Sequence, residues 1–431
     1  IIEIGPFDLE MISVNHSVPN AMSVSLDTPV GRVIVTGDWK LDQTPLQGDV
    51  MDLQRFAEMG REGVLAVFGD STNSEVPGLS RSESVVQQGF RDVMEAADGR
   101  VIVAQFSSNI ERVGGLLQLA HEEGRKVVFL GRSLMRNFGL AREEGYIDLP
   151  SDDLIIQPHE MKNYSDEQIL VLSTGSQAEP RASLTRMGFG DHHMISVEPS
   201  DTIVISARQI PGNERGIQNM INNLAKFGAN VMTQDDGPIH CSGHGKAEEM
   251  KLLLNITQPD YLVPVHGEYR MRKRHAELGR SVGVPNTEVI EDGDVLEFTD
   301  SSARVVGRVP TGRVIVDGRH VGDLQDVELR DRAKLAHSGI VVALMVIDRD
   351  RGEVASGPDL IQRGFIGEQE EEYEDLMEDS AEYALQEVQN LSNKARKDSN
   401  EVSEAIRTSI RRFFRKRIDR KPVVIPVVHE V

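Results

Sequence analysis

Apolar positions along the chain change period several times, and each change marks an element. Over residues 1–70 short β-branched or aliphatic runs alternate with turns. Residues 33–36 and 64–68 read as strands, each followed by an acid, in Gly37-Asp38 and Gly69-Asp70. The run FGDSTNSEVPG (68–78) is a loop rich in Gly, Ser, Asn and Pro. Residues 81–97 place Val85, Val86, Phe90 and Met94 at helical spacing. From about 100 to 235 strands and helices alternate. The strand 101–104 leads into Phe106-Ser107-Ser108-Asn109 and a helix through Val113, Leu116, Leu117 and Ala120, stopped by Gly124. The strand 126–130 leads into Gly131-Arg132-Ser133, and 168–172 into STGSQAEP. The strand 202–206 precedes a loop and a helix through Ile217, Met220, Ile221 and Leu224, capped by Gly228. This alternation predicts an open, mostly parallel α/β sheet with helices on both faces.

Residues 239–269, IHCSGHGKAEEMKLLLNITQPDYLVPVHGEY, set two histidines in glycine turns, His244 between Gly243 and Gly245, and His266 before Gly267. Ala247, Met250, Leu253 and Leu254 predict a short amphipathic helix between them, and a β-type run 261–265 ends on His266. Strand-rich sequence follows, with hairpin signals at 291–294, 317–318 and 349–352. After an acidic, linker-like stretch the chain closes with an acidic helix (about 370–396), a basic helix (about 401–417) and an edge strand, PVVIPVVHEV. Such a unit is small for independent stability and is expected to dock on the main body or on a second subunit.

Length and composition narrow the class. The 431 residues suffice for two or three domains. The single cysteine, Cys241, excludes an internal disulfide and suggests a reducing compartment. No apolar run approaches the roughly 18 residues of a membrane span. The net charge of −22 argues against a broad non-specific coat on nucleic acid and leaves room for a local footprint. The acidic run 368–379 and the basic run 407–421 read equally as two solvated helix faces. Strand ends carrying Ser107, Ser108, Asn109, Ser173, Thr174, Ser176 and Gln177 suit phosphate, with ordinary helix caps as the alternative.

Each histidine alone reads as a structural or surface residue, and the upstream pattern changes that. His16 stands at a strand end in ISVNHSVPNA, and Asp38 just past 33–35. Imidazoles with a carboxylate that can bridge make a metal site suited to Zn²⁺ or Mn²⁺. The chain here resembles the metallo-β-lactamase superfamily and, within it, the β-CASP nucleases of the ribonuclease J family. The resemblance covers essentially the whole chain. It rests on VNHSVPNA with His16, TGDWK with Asp38, GDSTN with Asp70, FSSNIERV, STGSQAEP, HCSGHG with His244 and PVHGEYR with His266.

The resemblance implies a metallo-β-lactamase αββα sandwich, incomplete at its N-terminus, over 1–78 and 236–367. It implies an inserted parallel α/β β-CASP domain over 79–235, and a linker with a small α/β C-terminal domain over 368–431. By the same resemblance His16 ligates the first of two zinc ions, Asp38 bridges them and His266 ligates the second, with Mn²⁺ possible. Asp70 would orient ligands, and His244 would contact the scissile phosphate and could protonate the leaving oxygen. His240, Cys241, Ser242 and Gly243 would share the substrate site with His244, and Ser107, Ser108 and Asn109 would lie near a 5′-phosphate pocket. The implied reaction is hydrolysis of RNA by in-line attack of an activated water, leaving 5′-phosphorylated products. Exonucleolytic 5′-to-3′ trimming from 5′-monophosphate ends and internal cleavage are both implied. The implied partners are single-stranded RNA, a second copy bound through the C-terminal domain, and members of an RNA-degradation complex, in the cytoplasm and with no membrane.

One part of the superfamily pattern is missing: no HxHxDH run occurs in the 431 residues. His16, Asp38 and His266 then give at most two ligands per ion, where a catalytic zinc takes about three. Since the chain opens in strand-like sequence at Ile1, the expectation is a lost N-terminal segment and weak binding of the metal pair. Two other readings stay open: a catalytically incomplete RNA-binding or assembly subunit, and a hydrolase of thioesters or lactones on the same fold.

Overall fold

The computed structural model describes residues 1–299, 302–312, 314–317, 320–321, 326–365 and 373–431. The chain divides into two compact units, Ile1–Thr311 and Gly312–Val431.

The first unit opens with strands β1 (Ile2–Ile4), β2 (Phe7–Ser13), β3 (Met22–Thr28) and β4 (Gly31–Val35), then α1 (Leu53–Glu62) and β5 (Ala66–Asp70). An alternating series follows: α2 (Glu83–Ala96), β6 (Val101–Ala104), α3 (Ile110–Glu122), β7 (Lys126–Leu130), α4 (Arg132–Glu143), β8 (Ile169–Ser173), α5 (Ser183–Gly188), β9 (Thr202–Ile205), α6 (Glu214–Lys226) and β10 (Asn230–Met232). The chain returns through α7 (Ala247–Thr257), β11 (Tyr261–Val265), α8 (Tyr269–Ser281), β12 (Asn286–Thr287) and the hairpin β13 (Asp294–Phe298)–β14 (Ala303–Arg308).

Two sheets organise this unit. A seven-stranded sheet runs β1-β2-β3-β4-β5-β11-β12. β2 and β4 are both antiparallel to β3, and β4, β5 and β11 are mutually parallel, so β2, β4, β5 and β11 all end at the same edge. Strand alternation sends Ile12, Ile34, Val67 and Leu262 to one face, against Phe56 and Met59 of α1, Leu253 and Leu254 of α7 and Leu278 of α8. Phe68, one residue on, faces the other way and meets Phe298 of β13. That face also leaves Met11, Met22 and Val35 exposed. The αββα expectation is met by this sheet with its helices on one face and the two-stranded β13–β14 sheet against the other.

The inserted sheet, β10-β9-β6-β8-β7, is parallel throughout, as the alternation predicted. Val101 and Val103 pack under α2 and α3, while Ile102 and Ala104 pack with Leu184 of α5 and Met220 and Leu224 of α6. Both faces are covered, which is why these strands read as unbroken apolar runs.

In the second unit β15 (Val316–Asp317) and β16 (His320–Val321) pair, followed by α9 (Asp326–Ser338), β17 (Ile340–Asp348), β18 (Glu353–Arg363), α10 (Tyr373–Gln389), α11 (Asn393–Arg396), α12 (Ser399–Ile418) and β19 (Val423–Glu430). The sheet order is β18-β17-β19, with β17 and β19 parallel. Val341, Ala343, Met345 and Ile347 face Val402, Ile406 and Ile410 of α12.

Sequence and structure part at several points. The hairpin β17–β18 turns at 349–352 as expected, but residues 312–367 belong with the C-terminal unit, whereas the sequence reading set that boundary at 368. The turn at 291–294 introduces β13 and does not join the two strands of a hairpin. The acidic helix ends at Gln389, and Ser392 caps a separate short helix by accepting from Ala395 N. Part of the 317–318 turn and residues 368–372 lie outside the described residues.

Candidate metal centre

The shared strand edge brings distant residues together. Asp70 is the last residue of β5 and pairs across the sheet with Val265, so His266 emerges beside it. Asp38 leaves β4 through Gly37, whose φ of +61° is left-handed. His16 lies beyond β2, where Asn15 bridges to Lys40 and Lys40 N donates to Asn15 O at 2.8 Å, clasping the two loops. His244 is drawn in from the other end of the chain. Its carbonyl accepts from Asn73 Nδ2 (2.8 Å) and Ser80 Oγ (3.1 Å), and Gly245 N donates to Trp39 O (2.6 Å).

The result is a compact donor cluster. One ligand atom from each of Asp38, Asp70, His244 and His266 lies within 4.8 Å of all the others. Asp38 presents Oδ2 at 3.8 Å from His16 Nε2 and Oδ1 at 3.5 Å from His266 Nε2. The His16 and His266 rings sit 4.9 and 5.5 Å from the His244 ring, centroid to centroid. His16 Nδ1 donates to the Gly243 carbonyl at 2.7 Å. A carbonyl can only accept, so the neutral ring carries its proton on Nδ1 and turns the Nε2 lone pair towards Asp38. Burial lowers the pKa of His16 and favours this neutral, ligating form. A lone pair facing a carboxylate is a donor arrangement for a cation.

His244 is held differently. Its Nδ1 lies 2.6 Å from Asp70 Oδ2, while Asp70 Oδ1 accepts from Thr72 N (3.0 Å) and Thr72 Oγ1 (2.7 Å). Burial opposes the charged forms of both groups, but their mutual hydrogen bond and attraction outweigh it. The pKa of His244 is raised and that of Asp70 lowered. The pair therefore favours a protonated His244.

Imidazole and carboxylate donors gathered this closely fit a divalent cation.

The other expected site residues divide. Gly243 supplies the carbonyl that orients His16, and a Cβ there would meet the His16 ring at 2.6 Å. Ser242 Oγ accepts from His244 N (3.1 Å) and Asn73 Nδ2 (2.9 Å), so it shapes the His244 turn. His240 and Cys241 are drawn into a buried ionic network instead. Arg112 donates to both oxygens of Glu83 (2.6 and 3.1 Å) and lies 3.1 Å from His240 Nδ1; Lys40 pairs with Asp42 at 2.9 Å. Cys241 Sγ lies 3.1 Å from Glu83 Oε1 and 3.6 Å from Lys40 Nζ. Burial raises the Cys241 pKa, and the Glu83 charge helps push it to about 12. Burial and the Arg112 charge push His240 down to about 3. Burial opposes the Glu83 carboxylate, yet Arg112 holds its pKa at about 2.

Asn109, expected at a phosphate pocket, is buried and caps α3 by accepting from Arg112 N at 3.1 Å. The Ser107 carbonyl accepts from Asn137 Nδ2 at 2.8 Å, and Ser108 is exposed. Two residues escaped the sequence reading. Asn73 lies inside the GDSTN motif and ties the Asp70 loop to the His244 turn. Arg208, after β9, donates to Asn73 Oδ1. A lone arginine in a loop carries no periodic signal, and only the fold brings it here.

Comparison with known proteins accords with this geometry. Residues 98–224 match the family description "Ribonuclease J, beta-CASP domain", 238–288 match "Zn-dependent metallo-hydrolase RNA specificity domain", and 327–431 match "Ribonuclease J C-terminal domain". The chain is 38% identical to Ribonuclease J 1 of Streptococcus pyogenes, over 96% of this chain and 73% of that protein. It is 36% identical to Ribonuclease J2 of Bacillus subtilis, covering 96% and 75% of the two chains. Against Ribonuclease J of Mycolicibacterium smegmatis the identity is 37%, with 99% and 76% covered.

Proposed function

Because the chain belongs to the ribonuclease J family, we propose that it hydrolyses phosphodiester bonds of single-stranded RNA with a metal cofactor. The observation that carries this is the meeting of His16, Asp38 and His266 with the His244–Asp70 pair at one strand edge. We place two Zn²⁺ there, or Mn²⁺ in their stead: His16 and Asp38 Oδ2 would hold one ion, and His266 and Asp38 Oδ1 the other. Bound cations supply Lewis acidity and lower the pKa of the attacking water.

The chain's own residues carry the remaining work. Gly243 fixes the ligating tautomer of His16. Asp70 orients His244 and favours its protonated form, in which Nε2–H is available to a phosphate oxygen as charge builds, and then to the departing 3′ oxygen. The product is RNA with a 5′-phosphate. Trimming in the 5′-to-3′ direction from 5′-monophosphate ends, with internal cleavage besides, is the finer reading; the hydroxyls of Ser107 and Ser108 in the loop between β6 and α3 support it. Dimerisation through the C-terminal unit is supported by the sheet face opposite its helices, where Leu344, Ile361, Ile425 and Val427 are exposed. No described helix is long and apolar enough to cross a membrane; the cytoplasm and an RNA-degradation complex complete the proposal.

The two-per-ion ligand count favours one competing reading, an RNA-binding subunit without turnover. One assay separates the two, and also the ester hydrolase. The chain is incubated with 5′-monophosphorylated RNA and with a thioester or lactone, in Mn²⁺ or Zn²⁺. Release of 5′-phosphorylated nucleotides that stops on chelation supports the ribonuclease. Tight RNA binding with no turnover supports the subunit, and turnover of the ester alone overturns both.

A further inference from the structure

Arg208 is held at both ends. Buried Gln177 donates from Nε2 to Arg208 O (2.9 Å) and accepts from Ile210 N (3.0 Å), clamping the loop that carries it. At the other end the guanidinium donates through Nη1 to Asn73 Oδ1. The amide of Asn73 in turn donates to His244 O (2.8 Å) and Ser242 Oγ (2.9 Å). One hydrogen-bond relay thus ties an exposed arginine of the inserted domain to the turn that carries His244.

The tie to Asn73 needs only a neutral donor. Nη1 uses one of the five N–H donors of the guanidinium, and Nε and Nη2 have no partner among the described residues. The charge has no acidic partner among the described residues, and an exposed guanidinium held in place with open donors suits an anion.

We propose that Arg208 contacts a backbone phosphate of the bound RNA next to the phosphate presented to His244, which makes it a substrate-binding residue supplied by the inserted domain. This rests on the ribonuclease reading. The planar guanidinium fork suits phosphate oxygens, and each phosphate contact on a single strand adds about 0.7 to the salt dependence of binding.

The test uses the 431-residue chain and a 5′-monophosphorylated phosphorothioate oligoribonucleotide, with affinity measured against KCl concentration at fixed Mn²⁺. Arg208→Gln keeps a donor for Asn73 and loses the charge. It is expected to melt with the wild type, to bind about fivefold more weakly near 0.1 M salt, and to lower the slope of log affinity on log salt by about 0.7. Arg208→Lys is expected to retain the slope. A wild-type slope in Arg208→Gln overturns the assignment and leaves the ribonuclease reading standing. A wild type that binds no RNA overturns both. Should Arg208→Gln melt early, Arg208→Met, measured below its melting temperature, decides: a slope lowered by about 0.7 upholds the contact, and the wild-type slope overturns it.

Discussion

His266 occupies a backbone conformation that a side chain resists. Its φ is +54°, and Gly267 follows at +80°, so β11 ends in two consecutive left-handed residues. A non-glycine residue in that region costs on the order of 1 kcal/mol or more, and such strain gathers at functional sites. His266→Gly is therefore expected to leave stability unchanged or raise it by up to ~1 kcal/mol in urea denaturation, while RNA hydrolysis falls. His244→Ala should lower the turnover of RNA by roughly 10²–10⁴, the usual contribution of a positioned acid or base. At this scale the sequence was informative at Asp38, which follows Gly37 just past β4, and at His266, which follows β11 and precedes Gly267. It did not show that His240 and Cys241, which share a motif with His244, join a buried ionic network. Their partners Glu83 and Arg112 stand 128–158 positions away, and no local pattern announces a buried ion pair.

The elements that carry the site depend on close backbone approaches. Gly243 allows the His16 ring to rest on its carbonyl, and a methyl group there would lie 2.6 Å from the ring. Gly243→Ala should displace the ring, lowering metal affinity by about 10–100-fold, the cost of losing an orienting partner, with the fold retained in circular dichroism. Strand and helix identities in the inserted domain were legible because both faces of its sheet are buried and each helix shows one apolar stripe. Asn109 was not legible: a residue opening a helix after a strand reads as a phosphate ligand or a cap alike, and its hydrogen bond to Arg112 N assigns the cap. The join near 312 was hidden too, since β17 and β18 look like a continuation of the preceding strands until β19 pairs with β17 from the far end of the chain.

Across the whole N-terminal unit, the Glu83–Arg112–Lys40–Asp42 network joins loops of the first sheet to helices of the inserted one. Removing one partner leaves a buried charge uncompensated. Arg112→Met should cost ~3–5 kcal/mol in urea denaturation, whereas replacing Arg112 and Glu83 together should cost much less. Acid should also weaken this unit. Burial holds His275 at about 4, as burial and Arg112 hold His240 at about 3. Both folded values lie below the unfolded value near 6.5, so the unfolded chain binds more protons below that pH. Stability then falls as pH drops from about 6.5 towards 4, and His275→Gln should flatten that limb of the urea midpoint against pH. The meeting of four chain segments around Asp38 remains the central claim, and calorimetric titration of the protein with Zn²⁺ tests it most directly. Wild type should bind Zn²⁺, and Asp38→Ala, which removes the one carboxylate shared by His16 and His266, should weaken binding by at least about a hundredfold. Equal affinity in the two proteins would contradict the account.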